Sequence, residues 1–308
     1  MGIRKVKENC GVKRGYMRLG SSRTGLLAFT VLLAFTTPMF SQTQQGGTQK
    51  QENVRRDSVQ AKVRRDLGED LDEEDAVREL FTLGDQAVPS LLKFLSEADK
   101  GRKVGAARSL AYIGNQQGMQ ALRNAVKAET DEETKSGMSC FLAGALVGTK
   151  SQSDLDFLRS SVERAHFVDD DVKDFQAFCA ALALGTRGGD DSLAVLRKIP
   201  KDYLIDSAEI RKAIQWMETK SAPRQMHTEL SLSDEELIKK AVLNDTFFAQ
   251  DERSETSVEE LTFNKQRNRA LVSVEIYLGP KSARGYDLAL AKESGVWQVV
   301  GIWFAWVA

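Results

Sequence analysis

An all-α helical solenoid followed by a small α+β domain is the fold class this sequence predicts. Three observations carry that expectation. A glycine-hinged pair of apolar segments occupies residues 72–95. Its punctuation returns three times downstream. The apolar period then switches from helical to alternating after residue 270.

The first pair shows the logic. Ala76, Val77, Leu80, Phe81 and Leu83 share one helical face. Gly84 supplies the left-handed residue that ends a helix, Asp85 stands ready to cap the next, and Pro89 falls in its opening turn, where a missing N–H does no harm. Leu91, Leu92 and Leu95 then give the second segment an apolar face. A lone pair cannot bury both faces, so neighbours are required. Aligned on the glycine, the hinges are Leu83-Gly84, Ile113-Gly114, Val147-Gly148 and Leu184-Gly185. Eight residues before each stand Ala76, Ala106, Cys140 and Ala177, a column of small side chains suited to close helix stacking. The second segments contribute Leu91/Leu92, Ala121/Leu122, Leu155/Leu158 and Leu193/Leu196.

The run Gly84-Asp85-Gln86-Ala87-Val88-Pro89-Ser90-Leu91-Leu92-Lys93-Phe94-Leu95 resembles HEAT and HEAT-like repeats, and the likeness extends over residues 69–200. Later repeats keep the glycine and leucines but lack the proline. The resemblance implies a curved stack of helix pairs and a binding role. It implies no catalytic residues.

Ahead of the repeats, seven Lys/Arg side chains lead into an apolar run from Leu26 to Phe35, broken at Thr36-Thr37-Pro38 and polar from Ser41. That is the order of a secretory signal peptide over residues 1–41, too short in its core for a comfortable membrane span. Met17 offers an alternative start, and an uncleaved anchor is the rival reading. Residues 1–41 hold seven of the 43 basic and one of the 44 acidic side chains, so the remainder is left with 36 and 43, a net of −7. An acidic mature chain does not suit a nucleic-acid partner. Residues 42–68, rich in Gln, Gly, Thr and charge, read as a tether, with Val59 through Leu67 framing a short capping helix.

Residues 69–219 are assigned to the repeats, closed by a helix from Asp206 to Met217, and residues 220–231 to a linker. In residues 232–308, Ser233 and Glu236 form a capping box that opens a helix. Alternation follows: a weak strand at Glu260–Asn264, then Val272/Val274/Ile276/Leu278, Tyr286/Leu288/Leu290, and Val296/Val300/Ile302/Phe304/Trp306, with turns at Gly279-Pro280 and Ser294-Gly295. Helix then meander is an α+β domain. Its element order and Gly295-Val296-Trp297-Gln298-Val299-Val300 close resemble nuclear-transport-factor-like and cystatin-like cone-shaped folds. Such folds imply space for an apolar ligand between sheet and helix.

Candidate sites follow from these elements. Lys93, Arg123, Arg159 and Arg197, one basic residue from each second helix, form a ridge expected to hold an acidic protein partner. The alternative is a small-molecule binder or hydrolase using the C-terminal domain: Tyr277, Trp297 and Trp303 are its candidate ligand pocket, and Asp245, Tyr277 and Asp287 could supply acid–base chemistry were it an enzyme. His166 beside Asp169, Asp170, Asp171 and Asp174 reads as a helix start, not a cation site. Cys140 and Cys179, at different offsets from their hinge glycines, are expected to be free core thiols. With no phosphate-cradling loop, zinc spacing or nucleophile elbow, the sequence points to an exported, non-enzymatic scaffold without cofactor or metal.

Overall fold

Gly84 and Gly114 both adopt the left-handed conformation, with φ of 57° and 63°, and end the first two long helices as their sequence demands. The computed structural model describes residues 63, 74–97, 99–163, 171–199, 208–219, 233–244, 255–279 and 282–307. The expected signal segment, the tether, the linker, His166, Asp169, Asp170 and Asp245 lie outside them; Asp171 and Asp174 fall in the first turn of a helix, and Val63, within the expected capping helix, is helical and buried. Residues Gln60–Ala308 form one compact unit.

Ten α-helices precede four strands among the described residues: α1 Glu74–Leu83, α2 Val88–Phe94, α3 Lys100–Ile113, α4 Gln116–Ala128, α5 Glu132–Gly144, α6 Gln152–Glu163, α7 Asp171–Arg187, α8 Asp190–Leu196, α9 Ala208–Thr219 and α10 Asp234–Asn244. Helices α1, α3, α5 and α7 pack in a row, each on the next. Their apposed faces carry the small residues Ala106, Ala107, Ala143, Ala177 and Ala180, all buried. Helices α2, α4, α6 and α8 fall between them in sequence, with α2 against α4 and α6 against α8. Polar bridges tie each pair to the next: Asn115 to Asp85 at 2.8 Å, Arg123 to Asp154 at 2.6 Å and Lys198 to Glu163 at 2.7 Å.

Three hinge assignments need correction. Helix α5 ends at Gly144, and Gly148, in the turn that follows, does not take the left-handed conformation of Gly84 and Gly114. Helix α7 runs through Gly185 to Arg187, and the chain turns at Gly188 and Gly189, with φ of 70° and 89°. Gly185 serves packing instead, since a Cβ there would sit 3.0 Å from Ala213 of α9. Asp85 does not cap α2. It lies in a 3-10 turn, Gly84–Gln86, and bonds Asn115.

The cysteines are a second correction. Cys140 of α5 and Cys179 of α7 form a disulfide, with Cα atoms 5.2 Å apart. Offsets counted from Gly185 separated the two faces. Counted from Gly188, where α7 turns, Cys179 stands nine residues ahead and Cys140 eight ahead of Gly148, so neighbouring helices bring them together.

The strands β1 Glu255–Phe263, β2 Arg269–Gly279, β3 Ser282–Glu293 and β4 Val296–Val307 form an antiparallel meander in the order β1-β2-β3-β4. The expected weak strand is therefore longer than its alternation suggested. Ser294 and Gly295, with φ of 50° and 84°, make the tight β3–β4 turn that the right-handed strand twist favours. One face of the sheet meets α10, whose capping box forms as written: the Ser233 amide donates to Glu236 at 2.8 Å, and the Glu236 amide to the Ser233 hydroxyl at 3.3 Å. The other face rests on α1, α5 and α7. Covered on both sides, β2 buries Leu271 as well as Val272. A bulge at Val300 interrupts the alternation of β4, so that Val300 faces Gly148 of the helical layer while Ile302 pairs across from Leu288.

Candidate functional site

The seam between helices and sheet is polar at its centre. Arg108 and Tyr112 are one turn apart on α3, and Arg78 lies on α1. Opposite them, Ser273 of β2 and Asp287 of β3 are cross-strand partners. The Tyr112 hydroxyl donates to Asp287 Oδ2 at 2.6 Å, and the Ser273 hydroxyl donates to Oδ1 at 2.7 Å. Arg108 reaches Oδ2 at 3.4 Å. Arg78 donates to Thr262 at 3.1 Å and to Ser273, and pairs with Glu260 at 3.0 Å. Burial pushes the Tyr112 phenol far above its ordinary value. Asp287 is 2% exposed, enclosed by donors on both oxygens. The arrangement fastens the helical layer to the sheet.

The four basic residues do not form a free ridge. Arg123 grips the buried Asp154 with two bonds, at 2.7 and 2.6 Å. Arg159 contacts Asp156 at 3.5 Å on its own helix, and Arg197 contacts Glu218 of α9 at 3.0 Å. Lys93 is exposed and, alone among the four, makes no ion pair with another of the described residues.

The three aromatic residues are not brought together. Trp297 is buried and donates to Asp234 of α10 at 3.1 Å, beside Phe263. Trp303 is buried in the helical seam, stacked on Tyr112 with ring centroids 4.3 Å apart and bonded to the Phe141 carbonyl at 3.0 Å. Gly144 leaves room for that indole, because a Cβ there would collide with Trp303 and the Ile302 carbonyl. Tyr277 is 44% exposed.

A concave site lies elsewhere. Between the turns after α1 and α3 and the β1–β2 turn is a recess of about 260 Å³. Asn264 builds its sheet side: its side-chain oxygen accepts from the amides of Asn268 and Arg269, both at 3.1 Å, and its amide donates to Asn268 at 2.7 Å and Gln266 at 3.1 Å. Arg267 completes the turn in the left-handed region, φ 52°, with its guanidinium over Phe263. Arg269 then projects onto Gly114. A Cβ at Gly114 would lie 2.8 Å from Arg269 Cζ, so the glycine that ends α3 also makes room for the guanidinium. Asp85, bonded to Asn115, lines the opposite wall, and Phe81 and Ile113 form the apolar floor. Burial pushes the Arg269 guanidinium below its ordinary range, and nearby Asp85 partly restores it. Arg269 Nε is buried without a hydrogen-bond partner.

Sequence reasoning treated Gly84 and Gly114 as punctuation and passed over Arg269. The available signal was the amide-rich turn Asn264–Asn268 preceding a strand that opens on arginine. Among the described residues no cluster of His, Cys, Asp and Glu fits a metal ion. Compared with protein-family models and with curated proteins, the chain matches none.

Proposed function

We propose that this chain is an exported, non-enzymatic binding protein whose ligand sits in the recess at Arg269. The observation that carries the reading is a half-buried arginine, its Nε unpaired, lining a polar concavity built jointly by two helix turns and the sheet. Such a donor in a concave site is the usual mark of a recognition pocket. In this reading the helix pairs are a HEAT-like solenoid and the sheet with α10 a cystatin-like or nuclear-transport-factor-like domain fitted against it. The Cys140–Cys179 disulfide supports export to a periplasmic or extracellular space, because such bonds persist in oxidising compartments. Among the described residues no helix is long and apolar enough to cross a membrane, so anchoring would fall to the N-terminal apolar segment.

A second reading keeps the chain as a scaffold for an acidic protein partner on the second helices. Its support is that the sheet packs mainly on α1, α5 and α7, leaving Lys93 on α2 exposed.

Photo-crosslinking in the native host separates the two. A photoreactive residue at exposed Gln266, on the recess rim, should capture the ligand, and one at Lys93 should not. Capture from Lys93 alone would favour the scaffold reading, and capture from neither would remove both.

A further inference from the structure

We propose that the recess recognises a carboxylate with a hydrogen-bond donor beside it, the chemistry shared by a free α-amino acid and the C-terminal residue of a peptide. This deepens the reading of the recess as the ligand seat and rests on it.

The argument starts from an unbalanced inventory. A guanidinium carries five N–H donors in a planar fork that matches a carboxylate in two parallel bonds. Buried donors in folded proteins are almost always paired. Arg269 Nε is not, and its two Nη groups, which can be reached from the recess, also have no hydrogen-bond partner among the described residues; the guanidinium lies against the end of α3 at Gly114. The negative end of that helix favours a cation in this place but takes no hydrogen bond from it. A planar anion supplies what the helix end does not.

The charge balance narrows the anion. Asp85 faces the same space, so the two charged side chains lining the recess sum to zero. Of the other cations on the turn, Lys265 reaches Gln86 at 3.4 Å and Arg267 lies over the Phe263 ring. A dianion such as phosphate would meet one cation and one carboxylate, a poor match. A single carboxylate on Arg269, with an ammonium or amide N–H turned to Asp85, satisfies both walls. The amides of Gln266 and Asn268, exposed at the rim, can bond a peptide group, and Phe81 and Ile113 offer an apolar floor. About 260 Å³ accommodates one residue, not a folded chain.

Calorimetric titration of the full chain at low salt tests this with four probes: L-alanine, the dipeptide Ala-Ala, its C-terminal amide, and inorganic phosphate. Binding of L-alanine or Ala-Ala is expected, with the amide weaker by roughly 10–100-fold, the worth of a charge-assisted pair. L-alanine binding alone marks a free amino acid as the natural ligand, and Ala-Ala alone marks a peptide terminus. Arg269→Gln should abolish binding with helical content unchanged by circular dichroism. Gln266→Glu, at an exposed position that leaves folding intact, should weaken carboxylate binding several-fold through like charge. Amide or phosphate binding as tight as the carboxylates, or Gln266→Glu without effect, would overturn the carboxylate inference while keeping the recess as a seat. Binding by no probe, together with no adduct at Gln266, would overturn both.

Discussion

The Tyr112 hydroxyl donates to Asp287 Oδ2 at 2.6 Å across 175 residues of chain, joining the second long helix to the third strand. Both groups are buried, so losing either leaves the other in a medium that penalises unmet polar atoms. Tyr112→Phe should cost about 1–3 kcal/mol, and Asp287→Ala, which removes the carboxylate shared by Tyr112, Ser273 and Arg108, about 3–5 kcal/mol. Urea unfolding checks both. A Tyr112→Phe protein with unchanged midpoint would mean that this bond adds nothing to the seam.

Cys140 and Cys179 should be unreactive toward thiol reagents until the chain is reduced and unfolded, since both are buried and bonded. Replacing both with alanine closes no loop in the unfolded chain and should lower stability by about 2–4 kcal/mol. Intact mass with and without reductant, followed by thermal melting, reports the bond and its worth. A free thiol at either position in native protein would contradict the pairing.

Gly144→Ala should destabilise by about 1–3 kcal/mol, because the added methyl meets Trp303 and the Ile302 backbone, neither of which can swing aside. Tryptophan fluorescence should shift to longer wavelength as the Trp303 contact opens. Gly295→Ala, which meets nothing nearby, isolates the backbone cost of a left-handed residue and serves as the comparison.

Lys292 beside Asp234, aided by the Trp297 indole, holds that carboxyl below its ordinary 3.8. A depressed folded value means that the unfolded chain binds more protons, so stability rises with pH through this window. The contribution is fully present above about pH 4, the unfolded range, and is lost as pH falls through the lower folded value. Asp234→Asn should therefore lower stability at neutral pH and flatten the acid limb of a stability–pH curve, and Lys292→Ala, which removes the main cause of the depression, should flatten it in the same direction. An acid limb in Asp234→Asn identical with that of the unsubstituted protein would show that the ion pair does not act in solution.

Charge reversal should distinguish the basic residues. Arg123→Glu places a carboxylate beside the buried Asp154 and should destabilise by several kcal/mol, while Lys93→Glu, exposed on α2, should stay within about 0.5 kcal/mol. Equal effects would mean that Arg123 and Asp154 are not engaged.

Local chemistry was legible where one segment decided its own structure. Ser233 and Glu236 spell a cap, Gly84 and Gly114 spell left-handed turns, and the alternation of Val272, Val274 and Ile276 spells a strand. What escaped depends on two segments at once. Leu184-Gly185 matches a hinge locally, yet α7 continues because Gly185 is where α9 approaches. The spacing of Arg123 and Arg159 reads as a ridge until Asp154 and Asp156 appear beside them. Arg269 gains its meaning from Gly114, more than 150 residues away in sequence.

The sheet that covers the helical row comes from the last stretch of the chain. Helices α1 and α3 are complete by residue 113, but Arg78 and Tyr112 meet Ser273 and Asp287 only after some 170 further residues have been made. A chain emerging from the ribosome therefore carries an uncovered face throughout most of its synthesis. Contacts of such sequence separation close slowly. The half-made molecule is consequently a natural client for holding chaperones, and a chain cut short before residue 255 should partition into aggregates even though every one of its helices is intact.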